Sequence, residues 1–241
     1  MNKTATDGVA LSRELIAALG RETAVEVVLC PPFTALESVG RALEGHALKL
    51  GAQNMHAEKS GAFTGEISAE MLRGLFVTHV ILGHRERRTY NAETDAGINQ
   101  KVLAALAHQL KPILCVGETL VERESGATLA VVQRHVERGL QGVKPEQMGA
   151  CIIAYEPVWA ISSTPDRKDA NPSDSMEMTI FIKKVLADKF GKDAYNTRII
   201  YGGSVNTKNA KEFLQNGGVD GLLPGSASLD AKKFTDIINT C

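Results

Sequence analysis

Residues 150–156 read Ala-Cys-Ile-Ile-Ala-Tyr-Glu, a short apolar run that ends in a carboxylate. Runs of this length and character recur along the chain. They are Val25–Cys30, Ala47–Ala52, Val77–Leu82, Pro112–Val116, Ala150–Tyr155, Thr197–Tyr201 and Val219–Leu223. Short, nearly continuous apolar runs are typical of strands that are buried on both faces. The sequence therefore predicts seven buried strands.

Longer stretches with helical spacing of apolar residues separate these runs, and one more, around Val9–Leu19, precedes the first. Asp174 and Ser175 predict the start of a later helix, after the long polar loop Ser162–Asp174. Regular alternation of strands and helices implies a parallel sheet with right-handed crossovers. Seven strands and eight helices over residues 1–241 predict a single α/β domain, a (β/α)8 barrel that lacks its first strand. An open doubly wound sheet is the alternative, but no Gly-rich dinucleotide turn follows any strand.

The near-equal numbers of acidic and basic residues bear on which kinds of partner the chain could bind. The 27 basic and 28 acidic residues give a net charge of −1, which provides no long-range attraction to nucleic acid or to anionic lipid. No apolar run approaches the length that spans a membrane, and the first residues have no apolar signal core. The four cysteines are far apart and have no metal-site spacing. We expect a cytoplasmic protein with reduced thiols, no metal, and neither nucleic acid nor membrane as partner.

Two titratable residues directly follow predicted strands, where a barrel of this kind has its active site. His84 follows Val77–Leu82, and a histidine there can act as an acid or an electrophile near neutral pH. Glu156 follows Ala150–Tyr155 and precedes Pro-Val-Trp, where partial desolvation would raise its pKa and make it a general base. A structural histidine and an ion-paired glutamate are the alternatives, and spacing alone leaves both open.

Two turns of small residues follow the last two predicted strands. They are Gly202–Asn206, which reads Gly-Gly-Ser-Val-Asn, and Pro224–Ser228, which reads Pro-Gly-Ser-Ala-Ser. Small residues allow backbone N–H groups to approach a phosphate, and this fold often binds phosphate at that position. The two turns together favour a phosphate site.

Several segments resemble triosephosphate isomerase, in that family's order and spacing from Met1 to Cys241. They are Ala52–Asn54, Gly61–Ser68, Ile81–Arg88, Cys115–Leu120, Ala154–Ile161 and Tyr201–Asn206. The resemblance implies a TIM barrel that interconverts dihydroxyacetone phosphate and glyceraldehyde 3-phosphate through an enediol(ate), a step of glycolysis and gluconeogenesis. It implies that Glu156 is the base that moves the proton, that His84 is a neutral electrophile, and that Glu86 supports them from behind.

The resemblance also implies how the substrate and a partner subunit are held. Phosphate contacts would come from Ser162, Ser204, Gly225 and Ser226. Trp159 would stand at the hinge of a lid over the site. No cofactor is implied, since the chemistry needs only proton transfer and oxyanion stabilisation. The Gly61–Ser68 loop, with Thr64, would enter the partner subunit of a homodimer.

Four departures from the family pattern lie around the site. The chain begins just after the family's Asn-x-Lys strand, so the catalytic asparagine and lysine are absent, and Lys3 matches a different position. Arg85 replaces a serine and could pair with Glu156, which would lower its pKa. The lid, Ser162–Pro172, lacks the family's Gly-Thr-Gly, and Pro224 removes an N–H group.

These departures leave alternatives open. One is an impaired or inactive family member that binds a phosphorylated metabolite or a protein partner. Another is a different phosphosugar isomerase or an aldolase on the same barrel. The Glu-Pro-Val-Trp and Gly-Gly-Ser motifs argue against the latter, and no strand ends in a Schiff-base lysine.

Overall fold

Seven strands lie side by side, in chain order, in one parallel sheet. The computed structural model describes residues 1–161 and 169–241. The strands are β1 (Val28–Leu29), β2 (Lys49–Ala52), β3 (His79–Leu82), β4 (Lys111–Val116), β5 (Ile152–Tyr155), β6 (Arg198–Tyr201) and β7 (Gly221–Leu222). Every neighbouring pair is parallel. This sequential order confirms the barrel prediction, because a doubly wound sheet would reverse its strand order at a switch point.

Helices connect the strands. They are α1 (Ala5–Leu19), α2 (Leu36–Ala42), α3 (Ala69–Gly74), α4 (Arg85–Tyr90), α5 (Asp95–Ala107), α6 (Leu120–Glu124), α7 (Thr128–Gly139), α8 (Pro172–Phe190), α9 (Ala210–Asn216) and α10 (Ala231–Ile238). Eight of them are the helices expected from the sequence. The described residues add two short ones, α4 and α6, which directly follow the loops after β3 and β4. These two were not predicted, because five or six residues are too few to show a helical period.

The first and last strands are shorter than the sequence predicts. The apolar runs Val25–Cys30 and Val219–Leu223 contain strands of only two residues each. Within the described chain, β1 pairs only with β2 and β7 only with β6. A strand with one neighbour can form ladder hydrogen bonds on one side only. Fewer residues of each run are therefore held in regular strand pairing. The sheet is therefore open between β1 and β7.

Two apolar clusters stabilise the fold. The larger one packs the helices against the outer face of the sheet. The smaller one fills the space inside the curled sheet, with Ile81, Ile113, Cys115, Ile152 and Ala154 at its centre. Cys30 and Leu223, next to the two open edges, both pack against this inner cluster. The outer layer continues across the gap, because α1 packs against both α2 and α10.

Helix α8 begins two residues earlier than predicted. Asp174 and Ser175 were expected to start it, but the helix begins at Pro172. The Asn171 side chain accepts a hydrogen bond from the Asp174 backbone N–H at 3.0 Å, and the Asp174 carboxylate accepts one from the Asn171 N–H at 3.0 Å. Asp174 is thus the third helical residue of a capping box, and the cap itself is Asn171.

No helix within residues 1–161 and 169–241 is both long and apolar enough to cross a membrane. Within the same ranges, no group of three or more His, Cys, Asp or Glu side chains could hold a metal ion.

Candidate active site

His84 and Glu156 lie together at the carboxyl ends of β3 and β5. Nε2 of His84 is 3.2 Å from Oε1 of Glu156. His84 is also the N-cap of α4, and its Nδ1 accepts a hydrogen bond from the backbone N–H of Glu86 at 3.3 Å. An accepting Nδ1 carries no proton, so in the neutral ring the proton is on Nε2. The fold therefore presents an Nε2–H donor beside a carboxylate.

Glu156 is held from its backbone and from its side chain. Its backbone N–H donates to the carbonyl oxygen of Val116 on β4 at 2.8 Å, which continues the ladder between β4 and β5. Its Oε2 accepts the backbone N–H of Arg85 at 3.2 Å, and the residue is only 3% exposed. Burial raises the pKa of Glu156, against the opposing effects of His84 and of the Arg85 N–H. A buried carboxylate with a raised pKa has the properties of a general base near neutral pH.

Arg85 lowers the pKa of Glu156, as the sequence suggested, but not enough to bring it below its usual value. Its guanidinium lowers the pKa of Glu156, but the effect of burial is larger. Oε1 of Glu86 lies 3.6 Å from Nη2 of Arg85. The backbone of Arg85, which any residue could provide, makes the direct hydrogen bond to Glu156.

Glu86 stands on the outer side of His84. Its Oε2 is 3.9 Å from Nδ1 of His84, and its side chain is 51% exposed. Its backbone N–H makes the hydrogen bond that fixes the His84 ring. Glu86 is therefore on the Nδ1 side of the His84 ring, whereas Glu156 is on the Nε2 side.

Two glycines provide the space that Glu156 occupies. A Cβ atom on Gly117 would lie 1.9 Å from the carbonyl oxygen of Glu156, and one on Gly202 would lie 2.9 Å from its Cγ. Both glycines directly follow strands, β4 and β6, that flank β5. Sequence reasoning identified Gly202 only as part of a phosphate turn and missed Gly117. Gly117 directly follows the apolar run Pro112–Val116, and this position is the signal that could have identified it.

Glu118 anchors the start of the segment that follows β5, and sequence reasoning did not assign it a role. Its fully buried carboxylate accepts hydrogen bonds from Nε1 of Trp159 at 2.7 Å and from the Tyr155 hydroxyl at 3.3 Å. Burial raises its pKa. The Arg123 guanidinium lies 4.1 Å from the centroid of the Trp159 ring and donates to Asp174 Oδ1 at 2.8 Å. Trp159 is thus fixed from both sides.

The two small-residue turns lie at the same edge of the sheet. The N–H of Leu223 donates to the carbonyl oxygen of Tyr201 at 2.8 Å, which places the exits of β6 and β7 side by side. Ser204 follows β6 and is half-buried, whereas Gly225 and Ser226 are exposed after β7. Ser162, the fourth residue expected to contact phosphate, lies outside the described residues, as does most of the lid Ser162–Pro172.

A family model, curated relatives and a solved structure all relate this chain to the same family. The family model described as "Triosephosphate isomerase" matches residues 1–241. The triosephosphate isomerase of Carboxydothermus hydrogenoformans is 51% identical over 239 residues, which cover 99% of this chain and 94% of that protein. The enzyme of Endomicrobium trichonymphae is 43% identical, with the same coverage. The crystal structure of triosephosphate isomerase from Bartonella henselae superposes with a TM-score of 0.88 at 38% identity, over 100% of this chain and 94% of that one. The chain therefore belongs to the triosephosphate isomerase family.

Proposed function

We propose that Glu156 and His84 carry out the triosephosphate isomerase reaction in this chain. One observation carries the proposal, namely the 3.2 Å approach of Nε2 of His84 to the buried carboxylate of Glu156 at the carboxyl edge of the sheet. A glutamate base and a neutral histidine electrophile are the recognised pair of this family. The substrate is a triose phosphate, and the reaction moves a proton between its two neighbouring carbons.

The geometry supports a division of labour between the two side chains. Glu156 removes a proton from the carbon next to the carbonyl group, while the Nε2–H of His84 donates to the carbonyl oxygen on which negative charge develops. Return of the proton from Glu156 to the adjacent carbon completes the isomerisation, provided that Nε2 of His84 also gives its proton to the former carbonyl oxygen and takes up the proton of the neighbouring hydroxyl group. In the structure the two side chains face each other directly. A bound substrate therefore has to replace this contact, with its carbonyl oxygen at Nε2 of His84 and the carbon that loses the proton at the carboxylate of Glu156.

The phosphate group would bind to the turns after β6 and β7. We assign its contacts to the backbone N–H groups of Ser204, Gly225 and Ser226, and to Ser162, because small residues allow close approach of the backbone to an anion. This assignment is supported by the ends of β6 and β7, which lie side by side, so that the two turns after them can contact the same phosphate group. Pro224 has no N–H group, so it contributes none.

The enzymatic proposal is tested by a coupled assay on glyceraldehyde 3-phosphate, in which the parent chain is compared with Glu156→Gln and Glu86→Gln. Removal of a general base costs about 10²- to 10⁴-fold in rate. We expect a loss of that size for Glu156→Gln and a much smaller one for the half-exposed Glu86→Gln. A folded parent chain without turnover, or equal rates for the parent and Glu156→Gln, would contradict the proposal.

The alternative is a family member that binds the phosphorylated metabolite without converting it, and Arg85, in place of the family's serine, is the observation that favours it. Calorimetric titration with glyceraldehyde 3-phosphate separates the two readings. Binding without turnover by the parent chain would support the alternative. Arg85→Ser would then test whether this residue is the cause.

We further propose that the chain forms a homodimer through the Gly61–Ser68 loop. Residues 58–66, including Thr64, are all exposed. Phe63 is 44% exposed at the tip, and its ring packs against His56 with centroids 4.4 Å apart. Met71, Phe76 and Tyr90 add exposed apolar surface elsewhere on the chain. A cytoplasmic location is likewise our proposal, and the four free cysteines are consistent with a reducing compartment.

A further inference from the structure

Behind His84 and Glu156 lies a group of polar side chains to which sequence reasoning gave no role. We call it the rear cluster, and it consists of Arg88 on α4, Asp95 at the start of α5 and His135 on α7. Their side chains are 18%, 14% and 8% exposed, respectively. Polar groups this well buried are normally hydrogen-bonded for a structural or functional reason.

Arg88 joins the exits of two strands. Its Nε donates to the carbonyl oxygen of Gly83 at 2.9 Å, and its Nη2 donates to that of Cys115 at 3.4 Å. Gly83 directly precedes His84 in the chain, and the Cys115 thiol hydrogen-bonds the carboxylate of Glu156. One guanidinium therefore links the end of β3, which carries His84, to the part of β4 that contacts Glu156.

His135 fixes the next turn of the chain after β4. Its Nδ1 accepts the backbone N–H of Gly117 at 3.4 Å. Burial lowers the pKa of His135 to about 4, so the ring is neutral at pH 7 and Nδ1 keeps the lone pair that this bond needs. Gly117 has no room to move toward Glu156, because even a Cβ atom on it would lie 1.9 Å from the Glu156 carbonyl oxygen. A shift of Gly117 therefore shifts Glu156.

Asp95 binds two arginines, Arg88 on α4 and Arg134 on α7. Its Oδ1 lies 2.6 Å from Nη1 of Arg88 and 3.9 Å from Nε2 of His135, and its Oδ2 lies 3.3 Å from Nε of Arg134. The contacts with the two arginines are charge-assisted and are stronger than neutral hydrogen bonds, whereas the neutral His135 ring lies too far from the carboxylate for a hydrogen bond. The carboxylate thus holds the Arg88 guanidinium and, through Arg134, ties it to α7, the helix that carries His135.

We propose that Arg88, which Asp95 ties to helix α7, and His135 on that helix are positioning residues that hold the exits of β3 and β4 and thereby set the approach of His84 to Glu156. The inference rests on the proposed function of that pair. It assigns the rear cluster no contact with the substrate. Because misplacing reacting groups by about 1 Å can cost on the order of 100-fold in rate, a small shift of these exits is enough to matter.

The test compares three variants of the full chain. In His135→Asn the amide oxygen takes the place of Nδ1 and can still accept from Gly117, whereas in His135→Leu no acceptor remains. His79→Leu removes another buried histidine, at the opposite end of β3, and controls for a general loss of stability. We expect kcat to fall about 10- to 100-fold in His135→Leu with KM changed little, and to stay within about threefold of the parent in the other two.

A second measurement does not depend on turnover. The Glu156 carboxyl is titrated by NMR with ¹³C-labelled glutamate, in the parent and in the same variants. We expect its raised pKa to move toward the ordinary value in His135→Leu, because loosened packing admits water, and to persist in His135→Asn. The proposal is overturned if His135→Leu keeps both kcat and the Glu156 titration, or if His79→Leu changes them equally. A parent chain without turnover contradicts the proposed function alone, and the titration then still decides on positioning.

Discussion

The environment of each carboxylate, rather than the residue type, sets its proton affinity in this chain. At Glu156 burial outweighs the opposing effects of His84 and Arg85, so its pKa is raised. At Glu93, burial works in the same direction, but hydrogen bonds from Lys101 and Arg87 outweigh it and the pKa is lowered. The first kind of surroundings makes a carboxylate a stronger general base near neutral pH.

The space around Glu156 should be as important as its charge. In Gly202→Ala the added Cβ would lie 2.9 Å from the Glu156 Cγ, so the side chain must move away from His84. We expect kcat to fall by at least about tenfold, since misplaced reacting groups lose rate steeply. Gly149→Ala, where a Cβ meets nothing within 4 Å, is the matched control in the same assay. Equal rates for the two variants would show that the glycine is not needed for the site.

At the scale of elements, short local signals decide where the helices around the site begin. Helix α4 begins at Arg85 because the His84 side chain caps it, so the cap and the proposed electrophile are the same residue. Helix α8, which follows the lid, begins at the Asn171–Asp174 capping box. The Arg123 guanidinium bonds Asp174 and covers Trp159, which ties the start of α8 to the end of the segment after β5.

Removing the cap of α8 should destabilise the whole domain measurably. In Asn171→Ala the Asp174 N–H loses its acceptor, and loss of an N-cap costs about 0.5–2 kcal/mol. Denaturation by urea, with Ser173→Ala as a control two residues further along, measures the difference in the free energy of unfolding. An unchanged midpoint for Asn171→Ala would mean that water or another group caps the helix equally well.

On the scale of the whole molecule, charges tie together the amino ends of several strands, including β1 and β6, which do not pair. Glu26, just before β1, bonds Lys49 at the start of β2 and Arg198 at the start of β6. It also lies 3.7 Å from Nε2 of the buried His79. Because β1 and β7 are not paired, the Glu26–Arg198 bond spans the opening of the sheet at the end opposite the active site.

This tie predicts a defined pH dependence. Burial alone would raise the pKa of Glu26, but the hydrogen bonds from Lys49 and Arg198 outweigh it and lower the pKa to about 2. A carboxylate with a lowered pKa in the folded state stabilises the protein above its ordinary pKa and loses this effect as the pH falls toward 2. We expect Glu26→Gln to reduce the free energy of unfolding at pH 7 by about 1–3 kcal/mol.

The check is a series of thermal melts of the parent and Glu26→Gln between pH 7 and the lowest pH at which both fold. The difference in Tm should narrow as the pH decreases. Glu37→Gln, which removes a carboxylate from an exposed ion pair with Arg41, should show little difference at any pH. If the difference in Tm between the parent and Glu26→Gln stayed constant with pH, the charge of Glu26 would not be the cause of the stabilisation.

The proposed homodimer gives the second prediction at this scale. Phe63→Asp places a charge at the tip of the Gly61–Ser68 loop, where an interface would bury it at high cost. Sedimentation velocity should then show a shift from dimer to monomer. Leu129→Asp alters a side chain on α7 that is 45% exposed, close to the 44% of Phe63, and should leave the dimer intact. A parent chain that sediments as a monomer would contradict the interface.

The sequence by itself determined the strand order, the eight main helices and the identity of the residues after β3 and β5. It could do so because apolar periodicity and the residue at a strand end are local properties, and parallel alternation leaves few topologies. Helices α4 and α6 were too short to produce such a pattern, and the lengths of β1 and β7 depended on the partners available to them.

Only the tertiary structure decided how the site is tuned. The pKa of Glu156 depends on a balance between burial, which raises it, and His84 and Arg85, which lower it. The sequence identified these neighbouring charged residues but could not show how deeply Glu156 is buried. Gly117 and His135 gained their importance from contacts with residues distant in the chain. Desolvation and hydrogen bonding act over a few ångströms in space, whatever the separation along the sequence, so these contacts exist only once the strands have been brought side by side.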